Sequence, residues 1–265
     1  MPRIALVVTT YERPDALALV LDSIARQRVA PDEIVIADDG SGASTAELIA
    51  GFTPFPAVPV RAVRQEHRGF RVARLRNLAI AAATADYVVF IDGDMVLHED
   101  FVADHARLAR RGCYTQGVRA HADATLTRRL LVDPALRPRF FSRGLGGLRR
   151  AYLLHSAATA RAVRKVANAL VAVKACNFGA WRDDLVRVNG FNEAFEGWGP
   201  EDKELALRLE HAGIHRQTLL FGGIAIHLHH PPASREALAT NLALLEATRR
   251  EQRVRCTHGL DRRFG

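Results

Sequence analysis

Within its first fifty residues the chain twice repeats one pattern: a short β-branched and aliphatic run, a polar turn, then apolar residues recurring at helical spacing. "RIALVVTTY" leads through "ERP" into "DALALVLDSIARQ", with Pro14 suited to a first helical turn. "EIVIADDGSG" leads in the same way into "ASTAELIAGF". Runs without polar alternation suit strands covered on both faces. Two successive βα units require parallel strands and right-handed crossovers, which restricts the chain to an α/β architecture: a mostly parallel, Rossmann-like sheet flanked by helices.

The pattern continues. A Pro-rich segment, "FTPFPAVPV", precedes a short strand in "RAVRQEH"; the Ala-rich half of "RGFRVARLRNLAIAAATA" reads as helix, and "DYVVFIDGDM" as the next strand. Sheets of this kind bind ligands at the carboxyl ends of their strands. Thr9, Thr10, Tyr11, Asp38, Asp39, Asp92 and Asp94 all fall there, so one rim collects the polar residues. From Arg110 onward, Arg, Pro and Gly interrupt the sequence and no strand period emerges, so this stretch reads as an insertion of helices and loops. "VAVKACNFGAWRDDLVRVNGF" resumes with a strand and a short helix. "GPEDKELALRLEHAGI" is an amphipathic helix beginning at Pro200, and "HRQTLLFGGIAIHLHHPP" supplies a last strand.

The 265 residues, 48% hydrophobic and 25% charged, fit an ordinary globular protein and exclude a disordered or fibrous class. The expected organisation is one domain over 1–235, with a basic helical insertion at about 121–172, followed by a helical tail over 236–265. A net charge of +8 suits a polyanionic partner, an anionic membrane or a phosphate-bearing ligand. Nearly all the cations are Arg, with Lys only at Lys165, Lys174 and Lys203. Cys113, Cys176 and Cys256 are too scattered for a disulfide framework or a zinc knuckle, which favours a reducing compartment. The N-terminal apolar run is too short for a signal peptide, and no run reaches the ~18 residues of a membrane span. These features lead us to expect a cytoplasmic protein able to rest on the inner face of a membrane.

Asp92 and Asp94 flank Gly93, whose missing side chain permits a tight turn and close ligand approach. Paired carboxylates on one turn suit a hard divalent cation bridging to phosphates; a solvated turn is the plainer alternative. Asp38 and Asp39 close a second strand beside Gly40; one of them can accept hydrogen bonds from a base or ribose edge, with an acidic turn as the plainer alternative. Arg71, Arg74 and Arg76 lie upstream of Asp92 and could neutralise a phosphate. In "GFNEAFEGWGPEDKELALRL", Glu201 and Asp202 occupy a helix first turn, where the helix dipole favours carboxylates without any catalytic duty. Trp198, between Gly197 and Gly199, is not explained that way, because a flexible aromatic beside two acids suits stacking on a sugar or base. One of the acids could be a general base and the other could bind acceptor hydroxyls. His227, His229 and His230 cluster after the last apolar run; His227 closes the strand, and all three remain candidate metal ligands.

Taken together, "ALVVTTYERPDAL", "IVIADDGS" and "FIDGDM" resemble the opening strands and DxD motif of family 2 inverting nucleotide-sugar glycosyltransferases of the GT-A fold. "CNFGAWRDDLVRVNGFNEAFEGWGPEDKELALRL" resembles the galactosyltransferase-type segment, with its GWGxED signature, of chondroitin-polymerase-like bacterial enzymes. The resemblance covers about Ile4 to His105 and Lys174 to Pro231. It implies that Thr9, Tyr11, Arg13 and Asp39 line the base pocket with Asp38 nearby, and that Arg71 and Arg76 sit near the diphosphate or ribose. It also implies Asp92 and Gly93 at the ribose or metal, Asp94 and His227 on Mn²⁺ or Mg²⁺, Asp202 as base, and Glu201 with Trp198 at the acceptor.

The implied donor is a nucleotide-diphospho-sugar, with UDP favoured over GDP. The implied acceptor is a hydroxyl of a glycan or lipid-linked saccharide, as in surface polysaccharide synthesis, and no nucleic-acid partner is expected. The helix dipole should lower the pKa of Asp202 and weaken it as a base. A sugar-phosphate nucleotidyltransferase is a competing reading, although "TTYERPD" lacks the Gly-rich basic loop such an enzyme needs. A non-enzymatic binder of anionic surfaces, acting through the Arg-rich block His121 to Ala172, is another. From His121 to Ala172 the chain departs from the family pattern and leaves the acceptor open.

Overall fold

The computed structural model describes residues 1–146, 151, 153–162, 165–167, 173–232 and 234–263. Strands and helices alternate through β1 (Ile4–Thr10), α1 (Pro14–Ala25), β2 (Glu33–Asp38), α2 (Ala43–Ala50), β3 (Val60–Arg64), α3 (Val72–Ala82) and β4 (Tyr87–Asp92). There follow β5 (Met95–Leu97), α4 (Phe101–Leu108), β6 (Cys113–Gln116), β7 (Arg119–His121), α5 (Ala124–Val132), α6 (Ala157–Ala162), β8 (Lys165–Ala167) and β9 (Asn177–Trp181). The chain ends through α7 (Arg182–Arg187), α8 (Glu201–His211), β10 (His215–Thr218), β11 (Ala225–His227), α9 (Leu238–Arg250) and a 3-10 turn at Leu260–Arg263.

The main sheet has the order β3-β2-β1-β4-β9-β6-β10-β8. β3, β2, β1 and β4 are mutually parallel, and β10 is parallel to β6. β9 runs antiparallel to β4 and to β6, and β8 antiparallel to β10. The chain therefore has the expected mostly parallel α/β fold. Along β1, Ala5 and Val7 pack on one side with Ala73, Ala79 and Ile80 of α3 and Leu205 and Leu209 of α8. Ile4, Leu6 and Val8 pack on the other with Leu17, Val20 and Ile24 of α1 and Phe101 of α4. A strand whose alternate residues both meet helices has no polar face, which is why β1, β2 and β4 read as unbroken apolar runs.

The stretch after Arg110 differs from the expectation. It contributes β6 and β7 and, beyond α5 and α6, β8. β6 is only "CYTQ", yet all four residues are buried between β9 and β10. Four residues with two polar members carry no period, and Thr115 is tolerated inside because its hydroxyl meets that of Tyr87 at 2.7 Å. Parts of the expected insertion, residues 147–150, 152, 163–164 and 168–172, lie outside the described residues.

The single last strand read from the sequence is two. β10 lies in the main sheet, and β11 lies in a small second sheet of order β5-β11-β7. The segment expected as a tail is integrated into the core. Leu260 joins the same core face as α3 and α8, and Thr248 of α9 donates to Glu204 at 3.0 Å. Glu204 and Arg208 form a fully buried pair with bonds of 2.8–2.9 Å, and Arg208 also reaches the carbonyls of Val188 and Gly190. A buried pair saturated in this way leaves no bare charge, and it fixes α8 against its neighbours.

Candidate active site

The carboxyl ends of β1 and β4 lie side by side, with Thr9 registered opposite Asp92. The Gly93 amide donates to the Thr9 carbonyl at 2.7 Å, and a Cβ on Gly93 would lie 3.1 Å from that oxygen, tighter than most residues tolerate. The chain therefore turns sharply between the two aspartates. β5 then pairs with β11, placing His227 opposite Met95, while the Leu228 amide donates to the Asp94 carbonyl at 3.0 Å. The small sheet thus carries the histidines to Asp94. His227 Nε2 lies 3.7 Å and His230 Nε2 3.3 Å from Asp94 Oδ2, with Arg13 at 3.5 Å.

Asp94 Oδ1 is buried without a hydrogen-bond partner, and Asp94, His227 and His230 each bring a ligand atom within 4.8 Å of the others. A carboxylate with one orphaned oxygen, and the other within 3.7 Å of two imidazoles, is a donor set that fits a divalent cation. Burial first, and Asp92 second, push the Asp94 carboxyl up to about 6 against the opposing pull of His230 and Arg13. Burial, with Arg119, His230 and His121, holds His227 down to about 3, so its ring is neutral and able to ligate. His229 belongs neither to this cluster nor to the cavity lining; its amide donates to Thr127 of α5. Asp92 stands outside the cluster, its Oδ1 accepting from Thr9 Oγ1 at 2.9 Å and Arg76 at 3.1 Å.

These groups open onto a cavity of about 600 Å³. Thr9, Tyr11, Arg13, Asp39, Arg76, Asp92, Gly93, Asp94, Trp198, Glu201, Asp202, His227 and His230 line it, so most residues singled out in the sequence meet in one cavity. Asp38 and Arg71 do not reach it. Asp38 accepts from the Ser41 amide and hydroxyl, which closes the turn after β2. The Arg71 guanidinium bonds back to the Glu66 carbonyl, at 2.5 Å. Arg76 is nearly fully buried and bridges Asp92 to Glu201 at 2.9 Å, which makes it a clamp between the two acidic groups.

Glu201 and Asp202 open α8 and are both buried. The expected lowering of the Asp202 pKa is reversed. Burial raises both carboxyls, and Lys174 and Arg76 only partly counter this for Asp202. Desolvation outweighs the helix end because both carboxyls are buried, with only 9% of Glu201 and 8% of Asp202 exposed. Trp198 lines the same cavity. Asn241 of α9 donates to the carbonyls of Glu196 at 3.0 Å and Trp198 at 3.3 Å, and the Arg235 guanidinium lies 5.2 Å from the Trp198 ring centre.

Sequence reasoning missed four lining or supporting side chains. His67 stacks on the cavity-lining Tyr11 at 4.1 Å and 9° and meets Asp39 at 3.1 Å, making a two-ring unit. Arg119, Lys174 and Arg235 supply cations along the walls. Only Lys174 had a signal, being one of three lysines and adjoining the "ACN" that begins the C-terminal motif.

Residues 5–169 match the profile described as Glycosyl transferase family 2, and residues 162–231 match that of the N-terminal domain of galactosyltransferase. Validoxylamine A glucosyltransferase of Streptomyces hygroscopicus subsp. limoneus is 29% identical over 227 residues, covering 81% of this chain and 49% of that protein. Chondroitin synthase of Pasteurella multocida is 24% identical over 249 residues, 88% of this chain and 25% of its own length. The chain thus spans about half or less of these relatives. Among solved structures, S. aureus TarS 1–349 in complex with UDP-GlcNAc superposes with a TM-score of 0.64 at 14% identity, covering 92% of this chain and 66% of that one. The mannosyltransferase PcManGT from Pyrobaculum calidifontis, in complex with GDP-Man and Mn2+, gives 0.58 at 20% identity, covering 94% and 64%. These likenesses show a shared GT-A fold.

Proposed function

The chain belongs to glycosyl transferase family 2, and on that premise we propose that it moves a sugar from a nucleotide-diphosphate donor to an acceptor hydroxyl, with inversion at the anomeric carbon. The observation carrying this reading is a single cavity that holds a cation-ready Asp94–His227–His230 cluster together with a buried acid pair, Glu201–Asp202. One end suits a diphosphate and the other a hydroxyl to be deprotonated.

Tyr11 and His67 form the platform for the base, with Asp39 fixing the His67 ring. Thr9 orients Asp92 toward the ribose. Asp94, His227 and His230 would hold Mn²⁺ or Mg²⁺, which when bound neutralises the charge of the departing diphosphate. Arg13 and Arg119 add positive charge along the same wall. Asp202 takes the proton from the acceptor oxygen as it attacks in line, and its raised pKa makes it a stronger base than a solvated aspartate. Glu201 is held by Arg76 and, with Trp198, shapes the acceptor end.

UDP is the proposed nucleotide; among the fold neighbours TarS is described with UDP-GlcNAc and PcManGT with GDP-Man. The acceptor we propose is a glycan or lipid-linked saccharide met at an anionic membrane surface. Val132 and Phe141, each 86% exposed, lie in a stretch with exposed Arg128, Arg129, Arg137, Arg139 and Arg143, which suits such a surface. Among the described residues no helix is long and apolar enough to cross a membrane.

The test is release of nucleoside diphosphate from a panel of UDP- and GDP-sugars by wild type and Asp202→Asn. Turnover of one donor that falls ~10²–10⁴-fold in the variant, with donor affinity retained, is expected. Turnover unaffected by Asp202→Asn would remove that residue from the chemistry.

A further inference from the structure

Across the start of α4, outside the cavity, His98, Asp100 and His155 converge from two distant parts of the chain. His98 and His155 are stacked, ring centres 4.5 Å apart at 19°, and the Nδ1 atom of each lies 3.8 Å from Asp100 Oδ2. His155 Nε2 meets the fully buried Asp104 carboxylate at 2.9 Å and donates to it, so Nδ1 is the ring nitrogen turned to Asp100. His98 Nδ1 accepts from the Asp100 amide at 3.2 Å, a contact that a cation at this nitrogen would displace. Two imidazole nitrogens thus face one carboxylate oxygen, and the three residues each bring a ligand atom within 4.8 Å of the others. Of the surrounding cations, Arg28 reaches Asp100 Oδ2 at 2.9 Å while also serving Glu99.

Atoms bonded to one Zn²⁺ at about 2.0–2.2 Å lie within about 4.4 Å of each other, and the two Nδ1–Oδ2 separations of 3.8 Å fall inside that limit. The Asp104–His155 bond is also the outer-shell arrangement that orients ligating histidines: the far ring nitrogen donates to a carboxylate, and the near one points at the metal. Asp104 is itself anchored by the Gly223 amide at 3.0 Å, and its Oδ1 is paired with Arg107 at 3.5 Å.

We propose that His98, Asp100 and His155 form a second divalent-cation site, of zinc type, which clips the segment leading into α6 onto the β5–α4 corner. Two imidazoles and one carboxylate favour Zn²⁺ over Mg²⁺; the cavity cluster has the same protein donors but would gain the hard oxygens of a diphosphate, which this site lies too far outside the cavity to receive. The clip closes the long loop that contains α5 and the exposed arginines, and thereby sets the position of the basic surface relative to the cavity. Arg28 opposes the cation and on binding stays with Glu99 alone. Nothing here depends on the transferase reading.

The test uses chelator-stripped full-length protein carrying Asp94→Asn, which disables the cavity cluster, titrated with Zn²⁺ by calorimetry and with Co²⁺ by visible absorption. One Zn²⁺ per chain and a Co²⁺ d–d spectrum are expected. Adding His155→Ala or His98→Ala should weaken Zn²⁺ at least ~100-fold, Asp104→Asn ~10–100-fold, and Arg28→Ala should tighten it. Circular dichroism verifies that each variant is folded. Zn²⁺ uptake absent from Asp94→Asn, or unchanged when either histidine is replaced, would overturn the proposal.

Discussion

Asp94 is placed where a carboxylate is costly. Its side chain is 13% exposed, it lies near Asp92, and burial raises its pKa to about 6 from an ordinary 3.8. Each pH unit of difference is worth ~1.4 kcal/mol, so about two units make the ionised group destabilising by ~3 kcal/mol in the metal-free protein. A carboxyl whose folded pKa is raised imposes no penalty below its unfolded value, near pH 4; the penalty grows through pH 6 and is complete above it. Asp94→Asn removes the charge while keeping the shape. In EDTA it should therefore be ~2–3 kcal/mol more stable than wild type at pH 8 and indistinguishable at pH 4. Urea denaturation at the two pH values measures this directly, and with Mn²⁺ at pH 8 only the wild type should gain stability. If Asp94→Asn is no more stable at pH 8, or equally favoured at pH 4, then desolvation does not govern this residue and the reasoning for a cation-ready site fails.

Arg76→Met strips the buried clamp from Asp92 and Glu201 and should cost ~3–5 kcal/mol at neutral pH, less in acid where Glu201 protonates; thermal unfolding across pH checks it. Gly199→Ala would set a Cβ 2.3 Å from Asn241 Nδ2, so the Trp198 loop must move: turnover should fall at least ~10-fold with nucleotide affinity within ~2-fold of wild type, as steady-state kinetics would reveal. Tyr11→Ala removes the stacking face shared with His67 and should weaken nucleoside diphosphate by ~1–3 kcal/mol without altering Mn²⁺ affinity, by calorimetry.

β1, β2 and β4 were legible because a strand with helices on both faces is an unbroken apolar run, and such a run ends visibly at a polar rim. Asp92, Gly93 and Asp94 were legible for the same reason. β6 and β7 were not: "CYTQ" and "RAH" are shorter than any period, and their burial comes from neighbours distant in sequence. Asp38 looked like Asp39 in the sequence, but strand alternation turns one to the Ser41 turn and the other to the cavity. Asp202 shows a different limit. Its place in a helix first turn was readable, whereas the residues around it come from α3 and the Lys174 loop, which only tertiary structure brings together. His67, Arg119 and Arg235 lie on loops or at a short strand, where no pattern marks them.

The central claim is that Asp94, His227 and His230 serve a nucleotide diphosphate through a divalent cation. Calorimetric titration of UDP and GDP into wild type and Asp94→Asn, each with Mn²⁺ and with EDTA, tests it most directly. The account predicts that one nucleotide, UDP, binds wild type with Mn²⁺, and that EDTA or Asp94→Asn abolishes the binding. Binding of equal strength in EDTA, or no binding of either nucleotide under any condition, would contradict it.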